Sequence, residues 1–252
     1  MSIRRRLDVE LTRRKLADSR EAAQRLIEAG RVTVDGQVAH KPARMVLDSA
    51  AVVVTGERGD EYASRGAHKL VGALDEFVPR GLQPPQDRSC LDAGASTGGF
   101  TDVLLRRGAA SVIAADVGYG QLVWRLQSDP RVIVLDRCNI RYLTADDLPY
   151  RPDLIVADLS FISLRLVLPA FAAVIQPHGD MVLMVKPQFE VGREALGRGG
   201  VVRDPALWES AVNGVADSAA ELGWREQARA RSPLPGPAGN VEFFLWLNST
   251  TR

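Results

Sequence analysis

A chain of 252 residues, 46% apolar and 25% charged with a formal net charge of +1, is ordinary globular protein with room for one sizeable core and a small extra domain. No apolar run is long enough for a membrane helix: the longest, Leu166 to Ile175, is about half the length needed and carries Pro169. The N-terminus goes straight into alternating charges with no apolar signal core, and Cys90 and Cys138 fit no metal or redox spacing, so a cytoplasmic protein with reduced thiols is expected.

The near-neutral total hides an asymmetry. Residues 1–45 hold 11 Lys/Arg against 6 Asp/Glu, a balance of +5 that leaves −4 on the remainder. A basic head on a mildly acidic body suggests a nucleic-acid-facing module joined to a small-molecule domain. The interleaving of the two signs fits a solvated helical surface equally well.

Residues 5–29 read as two short helices, the first carrying Leu7, Leu11 and Leu16. Asp18 offers an N-cap for the second, with Glu21 at the capping-box spacing and Ala22, Leu26 and Ile27 on its apolar face. Gly30 stops it. A strand, an Asp35-Gly36 hairpin turn and a returning strand follow, and a strand over 50–55 closes the unit. The segment from Ser19-Arg-Glu-Ala-Ala through Leu26-Ile-Glu-Ala-Gly-Arg-Val-Thr-Val-Asp-Gly36 to Lys41-Pro42, led by Arg6-Leu7-Asp8, resembles the S4 RNA-binding domain. That resemblance implies phosphate contacts at Arg6, Arg14, Arg20 and Lys41, which position RNA rather than specify its sequence.

Residues 56–63 read as a polar linker. The expected division is a domain over 1–58, a linker over 59–63 and a second domain over 64–252. A helix over 67–77 and a Pro-rich loop over 79–85 precede an alternation of elements. Strands are predicted at 89–92, 111–116, 132–135, 154–158, 181–186, 225–231 and 241–247, and helices at 99–107, 164–175 and 205–222. Such alternation means a parallel α/β sheet with helices on both faces and a ligand at the carboxyl ends of the strands.

The most informative stretch is Asp92-Ala-Gly-Ala-Ser-Thr-Gly-Gly-Phe100, a strand running into a glycine-rich turn and then a helix. The pattern acidic-x-G-x-x-x-G-G departs from the dinucleotide fingerprint G-x-G-x-x-G and points instead to S-adenosylmethionine. Candidate cofactor contacts are Asp92 near the methionine ammonium, the turn residues Gly94, Ala95, Ser96, Thr97, Gly98, Gly99 and Phe100, and Asp116 with Val117. Asp116 closes the next strand, where an acid reaches ribose hydroxyls, or else caps a helix.

Four further residues carry charge where apolar neighbours make it unusual. They are Lys69 at the start of the helix before the sheet, Asp158 and Lys186 at strand ends, and Glu242 one step into the last strand. Singly each has a bland explanation. The order Lys, Asp, Lys, Glu around one glycine turn resembles the catalytic tetrad of FtsJ-like 2′-O-ribose methyltransferases. With Ser64-Arg-Gly-Ala-His-Lys69-Leu, Ala115-Asp-Val-Gly-Tyr-Gly-Gln121, Ala157-Asp-Leu-Ser-Phe-Ile-Ser163, Val185-Lys-Pro-Gln-Phe-Glu190 and Ser232-Pro-Leu-Pro-Gly-Pro-Ala-Gly-Asn-Val-Glu242, the chain closely resembles the TlyA family from about residue 4 to 247.

That resemblance implies a Rossmann-like class I methyltransferase sheet behind the S4 domain. It also implies methylation of cytidine ribose in 23S and, in some members, 16S rRNA. The chain is expected to act on ribosomal RNA or subunits as a monomer, away from membranes. Lys186 with the nearby carboxylates would position the 2′-hydroxyl and receive or steer its proton, while Asp158 and Glu242 hold the two lysines. Arg65 is a further candidate RNA contact. Phe161 is expected either to stack on an extruded target base or to be a core aromatic. His68 reads as structural or RNA-facing, His40 and His178 show no ligand partners, and no metal is expected. The competing readings are a non-catalytic ribosomal RNA assembly factor and a membrane-acting haemolysin, the family's other name.

Overall fold

The computed structural model of the chain describes residues 4–17, 19–55, 62–197 and 199–249. The chain divides into two compact units, residues 1–61 and 62–252.

In the first unit β1 (Arg4–Arg6) leads directly into α1 (Leu7–Arg13), followed by α2 (Arg20–Glu28), β2 (Val32–Val34), β3 (Gln37–Val38), β4 (Met45–Leu47) and β5 (Val52–Val54). Ser19 caps α2, its side chain accepting from the Ala22 amide at 3.1 Å. The expected cap, Asp18, lies outside the described residues. Leu16 falls beyond the end of α1 but still packs against the small core of Leu7, Leu11, Leu26, Ile27, Val32 and Val52. The turn from β2 to β3 has φ of +52° at Asp35 and +80° at Gly36, the paired left-handed geometry that makes Asp-Gly a hairpin signal. Two strands went unpredicted: β1 and β4 pair antiparallel, Arg5 opposite Val46. Three consecutive arginines carry no alternation by which a strand could be read.

The second unit opens at Tyr62, ahead of the expected start at 64. The Ala63 amide donates to Asp102 Oδ2 at 2.8 Å, and the Arg106 guanidinium lies 4.6 Å from the Tyr62 ring centre. These contacts make both residues part of this unit. The bulk of the predicted linker, residues 56–61, lies outside the described residues.

In chain order the second unit contains α3 (Ala67–Phe77), β6 (Ser89–Ala93), α4 (Gly99–Arg106), β7 (Ser111–Ala115), α5 (Trp124–Gln127), β8 (Val132–Leu135), β9 (Leu154–Ala157), α6 (Leu168–Val174), β10 (Asp180–Val185), α7 (Pro187–Glu190), α8 (Pro205–Glu221), β11 (Trp224–Arg231) and β12 (Phe243–Ser249). The helix predicted over 164–175 is a 3-10 turn over Leu164–Leu166 followed by α6, with Pro169 in the first turn of α6, where its missing N–H is tolerated.

One seven-stranded sheet runs β11-β12-β10-β9-β6-β7-β8. Its five central and right-hand strands are parallel, whereas β12 is antiparallel to both β10 and β11. The sheet is thus mostly parallel, as the alternation of elements led one to expect, with β12 as its one reversed strand. No helix separates β11 from β12, and without a crossover two adjacent strands can only run antiparallel. Strand alternation divides the apolar residues between the faces. Val182, Met184, Phe244 and Trp246 pack with α3 and α4; Met181, Leu183, Val185, Leu245 and Leu247 pack with α6 and α8.

Candidate active site

After Ala93 the chain leaves β6 in a tight turn and enters α4 at Gly99. The Gly94 and Ala95 amides both donate to the Ala115 carbonyl, at 2.8 and 3.1 Å, which ties the turn to the end of β7. Gly94 has φ +86°, and a β-carbon there would stand 2.8 Å from the Asp158 carbonyl oxygen. Only glycine admits that approach of two strand ends. Just past β7, Asp116 accepts from the Ser96 amide through Oδ2 at 2.8 Å and from the Gly118 amide through Oδ1 at 2.7 Å. Each oxygen keeps a second lone pair.

This turn floors a cleft of about 250 Å³. Gly94, Ala95, Ser96, Thr97, Gly99 and Phe100 line one side; Ser64, Arg65, Gly66 and Lys69 line another, and Asp158 with Pro235 and Pro237 completes it. Asp92 lies beneath, wholly buried. Its Oδ2 accepts from the Thr101 amide at 2.7 Å and hydroxyl at 2.6 Å, while Oδ1 has no hydrogen-bond partner among the described residues. Burial pushes its carboxyl up to about 7; the Thr101 hydrogen bonds oppose the rise and the charges of Asp158 and Asp116 add to it. Gly98 caps α4 and backs onto Leu122 and Leu126, and Val117 is exposed beside Asp116.

The four charged residues form two pairs. Lys186 Nζ approaches Asp158 Oδ1 to 2.5 Å, aligned as an ion pair rather than a hydrogen bond, and donates to Ser160 Oγ at 3.0 Å. Lys69 Nζ donates to Glu242 Oε2 at 2.6 Å, with side chains only 8% and 1% exposed, and lies 3.9 Å from Met184 Sδ. Glu242 stands one residue ahead of β12, not inside a strand as the sequence suggested. The reversed direction of β12 places it here. Phe243 is opposite Val185, so the residues that follow β10 and precede β12, Lys186 and Glu242, emerge at one edge.

Phe161 is no core aromatic. It is 92% exposed with φ +64°, its ring 5.4 Å from that of Phe189. Among the RNA candidates, Arg6 and Arg20 both bond the buried Asp8 at 2.9 Å, and these hydrogen bonds, that of Arg6 foremost, hold its carboxyl well below the usual range. Both guanidiniums remain substantially exposed, and Lys41 is exposed as well. Arg14 is different. Its guanidinium donates to Glu10 Oε1 at 2.6 Å and to the carbonyls of Ala50 and Asp48 at 2.8 Å, so it is turned into the unit. Its side chain is 21% exposed, against 40% for Arg6 and 55% for Arg20.

Sequence reasoning missed Ser64, Gly66, Ser160, Pro235 and Pro237. The proline density of Ser232-Pro-Leu-Pro-Gly-Pro237 was the available signal for a shaped loop; Ser160 offered none, since its meaning depends on Lys186 arriving from another strand.

A seven-stranded, mostly parallel sheet with a glycine turn beneath a cleft defines a methyltransferase fold. A Mesorhizobium loti S-adenosylmethionine-dependent methyltransferase superposes with a TM-score of 0.53 over 71% of this chain and 97% of its own, at 13% identity. Residues 62–249 match the FtsJ-like methyltransferase family and residues 5–52 the S4 domain. The chain belongs to the FtsJ-like methyltransferases and, among them, to the TlyA family. It is 56% identical over 251 residues to the 16S/23S rRNA (cytidine-2′-O)-methyltransferase TlyA of Mycobacterium tuberculosis, covering 100% of this chain and 92% of the relative. A solved Streptococcus thermophilus chain, provisionally named a hemolysin, is 39% identical with a TM-score of 0.75, covering 98% of this chain and 89% of the other. No helix among the described residues is long and apolar enough to cross a membrane.

Proposed function

We propose that this enzyme transfers a methyl group from S-adenosylmethionine to the ribose 2′-hydroxyl of a cytidine in ribosomal RNA, in the 23S and the 16S molecules. The observation that carries the mechanism is the meeting of Lys186–Asp158 and Lys69–Glu242 beside the glycine-turn cleft.

The cleft residues suit the cofactor. The backbone of 94–97 is open to a flat nucleoside, Asp116 keeps lone pairs for ribose hydroxyls with Val117 beside it, and the orphaned Oδ1 of Asp92 suits a cationic ammonium. When bound, S-adenosylmethionine supplies a methyl already activated by the sulfonium charge. The chain's own residues then have a narrower task, since a ribose hydroxyl is a poor nucleophile near neutral pH. Lys186, held by Asp158, positions the hydroxyl oxygen for attack and together with that carboxylate receives or steers the departing proton. Lys69 and Glu242, buried together, keep this edge of the sheet rigid and charged. Arg6, Arg20, Lys41 and Arg65 make phosphate contacts, and Phe161 stacks on the extruded base.

Calorimetry and single-turnover methylation of purified ribosomal subunits test the reading together. S-adenosylmethionine should bind and NAD should not. Lys186→Ala should keep cofactor affinity near wild type while removing nearly all methyl transfer, the signature of a role confined to the transition state. A folded Lys186→Ala protein that methylates at near wild-type rate would overturn the assignment.

A further inference from the structure

Glu190 is buried, yet it belongs to neither charged pair. It ends α7, the single helical turn that begins immediately after Lys186. Its Oε2 accepts from the Ser163 hydroxyl at 2.5 Å and its Oε1 from the Leu164 amide at 2.7 Å. Arg165 adds a third tie, donating to the Glu190 carbonyl at 2.9 Å with its Nε 3.4 Å from Oε2. Ser163 ends the loop that leaves β9 through Asp158 and Ser160, and Leu164 and Arg165 open the 3-10 turn that follows it.

The segment Lys186–Glu190 therefore holds this loop at two places. Lys186 takes the near end, at Asp158 and Ser160, and Glu190 takes the far end, at residues 163–165. Between the two lies Phe161, exposed and left-handed at φ +64°. A non-glycine residue in that region is strained and persists only where its surroundings over-determine it. Phe161 has little of its own to hold it, beyond the Phe189 ring of the same clamping segment. Release of the far end would free Phe161 to return to negative φ, turning the flanking peptides and with them Ser160.

We propose that Glu190 is a positioning residue for methyl transfer: by fixing Ser163 and Leu164 it holds the strained Phe161 loop in the one conformation that keeps Asp158 and Ser160 on Lys186. This rests on the reading of Lys186 as the group that orients the hydroxyl. Glu190 itself touches no substrate. Its action is through the loop, and its charge matters because each oxygen faces a fixed donor, Oε1 the Leu164 amide and Oε2 Arg165 Nε, so that an amide of the same shape turns its NH₂ against one of them even if the Ser163 hydroxyl rotates to accept.

The test compares Glu190→Gln and the milder Ser163→Ala in the full chain. It reads the single-turnover methylation rate on ribosomal subunits, S-adenosylmethionine affinity by calorimetry, and the 19F resonance of Phe161 in fluorophenylalanine-labelled protein. Glu190→Gln should lower the single-turnover rate roughly ten- to a hundredfold, as expected when a hydrogen bond to a charged group is lost. Cofactor affinity should stay within about twofold, and the Phe161 resonance should broaden or split. Ser163→Ala should move rate and resonance in the same direction by less, which also covers the case of a Glu190→Gln protein that does not fold. In a Lys186→Ala background Glu190→Gln should have no further effect on rate. A wild-type rate with an unmoved Phe161 resonance in either folded variant would overturn the proposal, and so would equal losses of rate and cofactor affinity. An active Lys186→Ala protein would instead remove the reading of Lys186 on which it stands.

Discussion

Replacing Glu242 by Gln isolates the energetics of the buried pair. Lys69 and Glu242 are 8% and 1% exposed and 2.6 Å apart, so neither charge is compensated by water. Glutamine keeps the shape and one acceptor but removes the charge, leaving the Lys69 ammonium buried with Met184 Sδ at 3.9 Å as a weak neighbour. Removing one partner of a buried ion pair destabilises by about 3–5 kcal/mol, a large share of the roughly 5–15 kcal/mol that holds a domain together. For a domain of this size that corresponds to a fall in melting temperature of roughly 6–20 °C. The double variant Lys69→Met/Glu242→Gln should recover most of that stability, because no unpaired charge remains, while staying inactive. Urea denaturation of the three proteins, followed by circular dichroism and paired with single-turnover methylation, separates the two effects. A Glu242→Gln protein within about 0.5 kcal/mol of wild type, or a double variant no more stable than the single, would refute the picture of a desolvated pair.

Three further outcomes follow from the geometry. Burial raises the Asp92 carboxyl to about 7 in the folded protein, well above the ordinary aspartate value of about 4, so the folded protein binds the extra proton between those limits. Its contribution to stability without cofactor is therefore most favourable below about pH 4 and is lost as pH rises through 7, by up to roughly 4 kcal/mol. Asp92→Asn keeps an acceptor for Thr101 and should abolish this component, read as the wild-type-minus-variant difference in unfolding free energy from pH 4 to 8; a flat difference would contradict it. In the first unit, Lys41→Ala should weaken subunit binding and reduce the salt slope by about 1, with melting unchanged. Arg14→Ala should lower the stability of that unit, because its bonds to Glu10, Asp48 and Ala50 are internal; an altered salt slope with unchanged melting would mark it as a phosphate contact instead.

Local sequence determined what depends on neighbours a few residues apart. The strand–turn–helix at 92–100 is legible because glycine alone tolerates Gly94's left-handed backbone and its approach to Asp158. The Asp35-Gly36 turn and α8 are legible for similar reasons of backbone preference and periodicity. The tertiary structure decided what depends on which strands become neighbours. The short β11–β12 connection forces β12 to run backwards, and that reversal brings Glu242 to the edge where β10 delivers Lys186. Arg14 turns inward only because carbonyls 33–36 residues away converge on it, and Arg4–Arg6 becomes a strand only because Met45–Leu47 lies beside it. Glu190 reads as one more surface acid until folding buries it against Ser163 and Leu164, 26–27 residues earlier in the chain. A charge's role is set by the partners that reach it once water is excluded, and those partners come from other elements.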